Sequence, residues 1–254
     1  MITIKTDVEI GIMREGGKIL ACVLVALKSL AKPGVALSKL DKLAEQLIRE
    51  AGAKPSFKGY RPSGAVKPYP ASVCLSVNDE VVHGLPDERI LKDGDLLKID
   101  LGVFYKGLHT DSAVTIPTGN VSQEAKELIS VTERALELAV KMVRPGVHLG
   151  DIGEVIQKFV ASHNFSVVRD LVGHGIGREL QEEPMVPNFG KEGTGVVLEE
   201  GMTIAIEPMV AAGKGHLILA ADGFTYKTAD GSLAAHFEHT VAVTKDGCVI
   251  LTKF

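Results

Sequence analysis

Four carboxylates and one imidazole stand apart from the ordinary surface charge of this chain. Asp100 follows the apolar run Leu96-Leu97-Lys98-Ile99, and Asp111 precedes Ser112-Ala113-Val114-Thr115-Ile116. Glu207 follows Ile204-Ala205-Ile206 and is itself followed by Pro208, while Glu238 precedes His239-Thr240-Val241-Ala242-Val243. Each reads as the mouth of an interior strand. A buried lone carboxylate is strongly unfavourable unless paired or metal-bound, and four brought together would repel until some took up protons. Two divalent cations resolve that conflict, and His174, set in Leu171-Val172-Gly173-His174-Gly175-Ile176-Gly177, completes a nitrogen–oxygen donor set. Such donors suit Mn²⁺, Fe²⁺ or Co²⁺ better than a thiolate-rich structural zinc site. Paired ions of that kind acidify a shared water and make it a nucleophile near neutral pH. Any one of these residues alone is more often a cap, a turn or an ion-pair partner. The chemistry is carried by the ordered set.

The elements that must position this set follow from periodicity and punctuation. A helix is predicted over Asp7–Ala31, capped by Thr6 or Asp7 and ended by Pro33-Gly34. A second runs from about Lys39 to Ala51, with Ser38 as its N-cap and Leu40, Leu43, Ala44, Leu47 and Ile48 on one face. Residues 52–72, rich in Gly, Pro and Lys, read as loop. Strands are expected at Ser72–Val77, Leu96–Phe104 and Ser112–Ile116, helices at Gln123–Val143 and Leu149–Ser162, and strands again at Glu238–Val243 and Cys248–Thr252.

The order helix, helix, strands therefore occurs twice. Lys32-Pro33-Gly34-Val35 is echoed by Arg144-Pro145-Gly146-Val147, Leu91 to Asp100 by Leu198 to Glu207, and His83-Gly84 by His174-Gly175. Three echoes in one order suggest a duplicated unit, with halves at about 1–118 and 119–254 of a single catalytic domain, and chemistry in the cleft between them.

Composition bounds the rest. Over 254 residues, 28 Lys+Arg against 32 Asp+Glu leave a net charge of −4, too little for a field that gathers nucleic acid or an anionic membrane. There is no Trp and only 5% aromatic content, which argues against base-stacking platforms. Cys22, Cys74 and Cys248 lie far apart without CxxC spacing, so a disulfide framework is not expected and a reducing compartment is. The first residues lack an apolar signal region, and Ile19–Leu27 is too short to span a bilayer, so the expected location is cytoplasmic. No coiled-coil heptads call for an oligomer, and a monomer is expected.

The motifs resemble those of the short bacterial, type I methionine aminopeptidases. The resemblance rests on Ser72-Val73-Cys74 with Asn78-Asp79-Glu80-Val81-Val82-His83-Gly84, on Ile99-Asp100 with His109-Thr110-Asp111, on Gly173-His174-Gly175-Ile176-Gly177, on Ile206-Glu207-Pro208-Met209 and on Glu238-His239-Thr240. It spans nearly the whole chain. It implies the α+β pita-bread fold shared with Xaa-Pro aminopeptidases and creatinase: pseudo-two-fold halves and a curved antiparallel sheet covered by helices. The interval from His174 to Glu207 has no room for the helical insertion of the type II enzymes. By the same resemblance Asp100 would chelate one ion, Asp111 and Glu238 would bridge both, and His174 and Glu207 would hold the other. Glu207 would also pass the water's proton toward the leaving nitrogen, and His83 would contact substrate near that nitrogen. The substrate would be the N-terminal methionine of nascent polypeptides, a setting that points to the ribosome. His109 and His239 border ligands and would either support them or be plain neighbours.

Two departures matter. Seven positions after the metal-binding histidine the family carries a second substrate-contacting histidine, and here Gln181 stands there. Gln donates through its amide but cannot become cationic. In the pocket for the first side chain, Tyr69, Cys74 and Phe224 match the family, whereas Ser63, Val66 and Leu180 replace larger or sulfur-bearing residues. Two further readings therefore stand beside methionine removal: a dimetal aminopeptidase of the same fold with another N-terminal preference, and a weakly active or non-catalytic peptide-binding protein.

Overall fold

The computed structural model describes residues 2–61 and 67–253. Ser63 and Val66 lie outside the described residues. Helices α1 (Asp7–Leu30) and α2 (Leu37–Glu50) precede β1 (Lys54–Pro55), β2 (Cys74–Val77), β3 (Glu80–Val82), β4 (Asp95–Tyr105) and β5 (Leu108–Thr118). Then come α3 (Gln123–Met142), α4 (Leu149–Ser162), β6 (Ser166–Val167), β7 (Gly173–Gly175), β8 (Glu182–Val186) and β9 (Thr203–Ile206). The chain ends with β10 (Met209–Ala211), β11 (Leu217–Leu219), β12 (Tyr226–Thr228), β13 (Ala234–His236), β14 (His239–Thr244) and β15 (Gly247–Ile250).

All the strand pairings are antiparallel. One sheet has the order β1-β4-β2 with β5 also on β4, and a larger one runs β15-β14-β9-β7-β8. Two small sheets, β13-β10-β6 and β11-β12-β3, complete the set. Each main sheet carries two helices. Leu20, Leu24 and Leu27 of α1 with Leu40, Ala44 and Ile48 of α2 pack on Leu75, Leu97, Ile99, Leu101 and Val103. Leu128 and Ala135 of α3 with Ile152, Ile156 and Val160 of α4 pack on Ile204, Ile206, Val241 and Val243. Because strand side chains alternate, the odd-numbered residues of β4 meet the helices, and Lys98 and Asp100 face the other way. Both are nonetheless buried, because the second half of the chain covers that face.

The duplication is visible in the hydrogen bonds. Gly34 N donates to Leu91 O and Leu91 N to Val35 O; Gly146 N donates to Leu198 O and Leu198 N to Val147 O. The bridge Ala36–Ile90 recurs as His148–Val197. The third echo is not part of this repeat. His174 lies within β7, which pairs with β9, whereas His83 follows β3, which pairs with β12.

Some expectations shift. Thr6 caps α1 through a capping box with Glu9, but α2 begins at Leu37 behind Ala36, and Ser38 is not its cap. The amide groups of Leu37 and Ser38 are satisfied instead by Arg89 O and Asp87 O of the crossing segment. Lys54–Pro55 forms a short strand on β4 inside the expected loop. β4 and β5 are each 11 residues long, so Asp100 and Asp111 sit mid-strand rather than at strand mouths. Glu207 and Glu238 do sit at the ends, just after β9 and just before β14.

Candidate metal centre and substrate cavity

Register brings the first two carboxylates together. Asp100 pairs with Ala113 and Gly102 with Asp111, so both carboxylates lie on one face as diagonal neighbours. Gly102 lets the loop close over them, since a Cβ there would meet Ser56 Cβ at 2.7 Å. The other carboxylates arrive from the second half. Glu238 N donates to Ala113 O, and Ser112 Oγ donates to Glu238 O. Thr240 Oγ1 accepts from Asp111 N and donates to Asp111 O, both at 2.8 Å. Glu207 is fixed by Asn188, whose amide donates to the Glu207 carbonyl.

Ligand-type atoms of Asp111, His174 and Glu238 lie within 4.8 Å of one another. His174 Nδ1 donates to Gly175 O at 2.8 Å, which leaves Nε2 as the lone-pair nitrogen, 3.7 Å from Glu207 Oε1. Asp100 Oδ1, Asp111 Oδ1 and Glu238 Oε1 are buried without a hydrogen-bond partner. Burial pushes Asp100 and Glu207 up to about 7. Burial, reinforced by the neighbouring carboxylates, holds Asp111 and Glu238 well above the usual carboxylate range. Orphaned oxygens, like charges and a lone-pair imidazole converging on one point fit divalent cations and fit little else.

All five line a cavity of about 670 Å³, and Phe57, Tyr60, Lys67, Tyr69, Cys74, His83, Leu180, Gln181, Phe224 and Tyr226 are among the other residues that line it. The five expected ligands and His83, Gln181, Tyr69, Cys74 and Phe224 thus lie on one cavity. The Tyr69 ring packs edge-on against Phe57 and Phe224 at 6.5 and 5.5 Å between centroids. Its hydroxyl donates to Gly84 O at 2.8 Å, so it braces the turn behind His83. His83 adopts a left-handed backbone (φ +59°), a strained conformation held by that turn and by β3 pairing with β12. Its ring meets Tyr226 edge-on at 5.8 Å. Burial, with the nearby imidazoles of His236 and His174, pushes His83 down to about 4, so it is neutral near pH 7. Gln181 Oε1 accepts from the Tyr60 hydroxyl at 3.2 Å, which leaves the amide NH₂ as its free end. The loop bearing Gln181 is anchored by the buried Lys5–Glu182 pair at 2.5 Å.

His109 and His239 do not line the cavity. Their Nδ1 atoms meet Ser56 Oγ and Thr252 Oγ1, both at 2.9 Å. Sequence reading missed Tyr60, Lys67, Tyr226, Lys98 and His236. The last two were accessible from strand alternation, since Lys98 precedes Asp100 by two and His236 precedes Glu238 by two. Lys98 is fully buried, its Nζ donating to Asn78 O and Ala234 O, and burial pushes it down to about 7.

The profile of metallopeptidase family M24 matches residues 11–245. Methionine aminopeptidase 1 of Bacillus subtilis is 47% identical over 253 residues, covering all of both chains. The Escherichia coli K12 methionine aminopeptidase is 44% identical over 253 residues, 99% of this chain and 94% of that one. A methionine aminopeptidase structure from Thermotoga maritima superposes over the full length of both chains with a TM-score of 0.96 at 46% identity. A prolidase from Pyrococcus furiosus shares the fold alone, with a TM-score of 0.78 at 24% identity over 99% of this chain and 65% of that one. The architecture is the pita-bread fold, its buried carboxylate–imidazole group can bind metal, and the chain belongs to metallopeptidase family M24.

Proposed function

We propose that this protein removes the N-terminal methionine from nascent proteins and peptides by hydrolysing the first peptide bond. The observation that carries the reading is that Asp100, Asp111, His174, Glu207 and Glu238 line one cavity together with a set of apolar and aromatic side chains. Phe57, Tyr69, Cys74, Leu180 and Phe224 suit an unbranched, polarisable thioether. Asp100, Asp111, His174, Glu207 and Glu238 would hold two divalent ions, Mn²⁺, Fe²⁺ or Co²⁺. Bound there, such ions supply Lewis-acid polarisation of the scissile carbonyl and a water acidic enough to react near neutral pH.

The chain's own groups do the rest. Glu207 takes the proton of the attacking water and delivers it toward the leaving nitrogen. Neutral His83 hydrogen-bonds at that nitrogen, held in place by its strained turn and by Tyr226. Gln181 donates its amide N–H to the developing oxyanion, with Tyr60 holding the other end of the amide. Among the described residues no helix is long and apolar enough to cross a membrane. We place the enzyme in the cytoplasm as a monomer acting on chains at or near the ribosome.

The test is release of free methionine from Met-Gly and Met-Ala peptides by metal-stripped protein refilled with Mn²⁺ or Co²⁺, beside a panel varying the first residue. Turnover that needs metal and prefers methionine is expected. Metal-dependent turnover with another first residue preferred would replace methionine in the reading, and bound metal without any turnover would refute the activity.

A further inference from the structure

Each carboxylate oxygen of Glu207 faces a different histidine. Oε1 lies 3.7 Å from His174 Nε2, and Oε2 lies 3.4 Å from His236 Nε2. His174 is at the cavity wall, and its ring is oriented by the Gly175 carbonyl. His236 is different. It is 1% exposed, and neither ring nitrogen has a hydrogen-bond partner. Its backbone is held on both sides by one hydroxyl: His236 N donates to Thr115 Oγ1 at 2.8 Å, and Thr115 Oγ1 donates to His236 O at 2.7 Å. A buried imidazole with unmet donor and acceptor, locked at its backbone and aimed at a ligand carboxylate, calls for a partner. Glu207 Oε2 is within reach of that need. A small turn of the carboxylate turns the 3.4 Å separation into a hydrogen bond.

We propose that His236 is a positioning residue, whose neutral ring donates Nε2–H to Glu207 Oε2 and thereby aims Oε1 alongside His174 Nε2 at the divalent ion they share. The inference rests on the metallopeptidase reading of the five ligands. It gives His236 no contact with substrate. Its task is to fix which oxygen of Glu207 is presented, so that the half-site is formed before the ion arrives.

Calorimetric titration of metal-stripped protein with Mn²⁺ tests this. His236→Leu is expected to weaken binding by about 10- to 100-fold, the usual consequence of losing a group that orients a ligand. His236→Gln, which keeps an N–H donor at similar reach, is expected to stay within a few-fold of the wild type. Equal affinity of the Leu variant and the wild type overturns the proposal. So does equal loss in the Leu and Gln variants when both melt cooperatively, because then ring shape and not donation is what matters. A wild type that binds no ion would instead overturn the metallopeptidase reading itself. An independent measurement needs no variant: ¹⁵N histidine spectra of the wild type loaded with diamagnetic Zn²⁺. The Nε2–H tautomer of His236 with a slowly exchanging proton is expected, and the Nδ1–H tautomer refutes the donation.

Discussion

Removing the ions should make this protein less stable as pH rises through neutrality, opposite to the common behaviour of acidic proteins. In the metal-free chain, burial raises the folded-state values of Asp100 and Glu207 to about 7 and those of Asp111 and Glu238 well above the usual range. Above about pH 4 the unfolded chain has lost these protons and the folded one keeps them, so stability falls with pH. Below about pH 6.5 the trend is masked. His83, His109, His236 and His239 are pushed to about 4 by burial, so the unfolded state binds their protons and stability rises with pH over that range. Above about 6.5 the histidine contribution shrinks, and it is spent by about pH 7.5. Asp100 and Glu207 then release their protons near 7, and Lys98, depressed to about 7, contributes in the opposite sense beyond it. These roughly cancel, which leaves Asp111 and Glu238. Each proton that the folded chain still holds there lowers stability by about 1.4 kcal/mol per pH unit. At about 2–4 °C per kcal/mol for a chain of this size, each such proton lowers the apparent Tm by about 3–6 °C per pH unit. The assay is a thermal melt of chelator-treated protein at half-unit steps of pH, with and without saturating Mn²⁺. With metal the slope should vanish or reverse, because the ion binds the deprotonated ligands. A metal-free Tm that is flat or rises from pH 6.5 to 8 would refute the reasoning.

Further outcomes follow from single contacts. Asp111→Asn should abolish Mn²⁺ binding in calorimetry and roughly halve the metal-free decline just described, because one of the two retained protons is gone. Gln181→Leu should lower kcat about 100-fold by removing an oxyanion donor, while Gln181→His should keep or raise it, as read by methionine release. Lys5→Met leaves Glu182 buried without its cation, so KM for Met-Ala peptides should rise more than kcat falls, and the Tm should drop with a loss of about 3–5 kcal/mol. Gly17→Ala drives a Cβ to 2.0 Å from Leu251 O, where α1 meets the chain's end, and should cost about 3 kcal/mol in denaturant melts without changing Mn²⁺ affinity.

Much of this was legible before any coordinates. Helix α4 has the expected bounds, and α1 and α3 end one residue short of theirs, because Thr6, Ser122 and the Pro-Gly turns punctuate a clear apolar period. The start of α2 was not legible, because its N–H groups are met by Arg89 and Asp87, fifty residues on in the chain, instead of a local side chain. The five ligand candidates could be read because a carboxylate in an apolar run is locally anomalous. The strand-end placement of Glu207 and Glu238 was legible too, whereas Asp111 sits inside β5 because pairing with β4 extends that strand back to Leu108, beyond the expected start at Ser112. His236 escaped notice because its partner, Glu207, comes from another strand, and its spacing of two from Glu238 is the one local signal of it.

The contacts between Asp111 and Thr240, and between Ala113 and Glu238, join segments separated by more than a hundred residues. Contacts of such sequence separation carry a large loop-closure cost, and we expect them to form late in folding. An ion that needs Asp111 and Glu238 together therefore finds no seat on a partly assembled chain. Stabilisation that arrives after the rate-limiting step leaves the folding rate unchanged and lengthens the lifetime of the finished molecule. Metal bound by those residues would thus act as a latch: it should slow unfolding many-fold in stopped-flow experiments while refolding proceeds at the same speed with or without it.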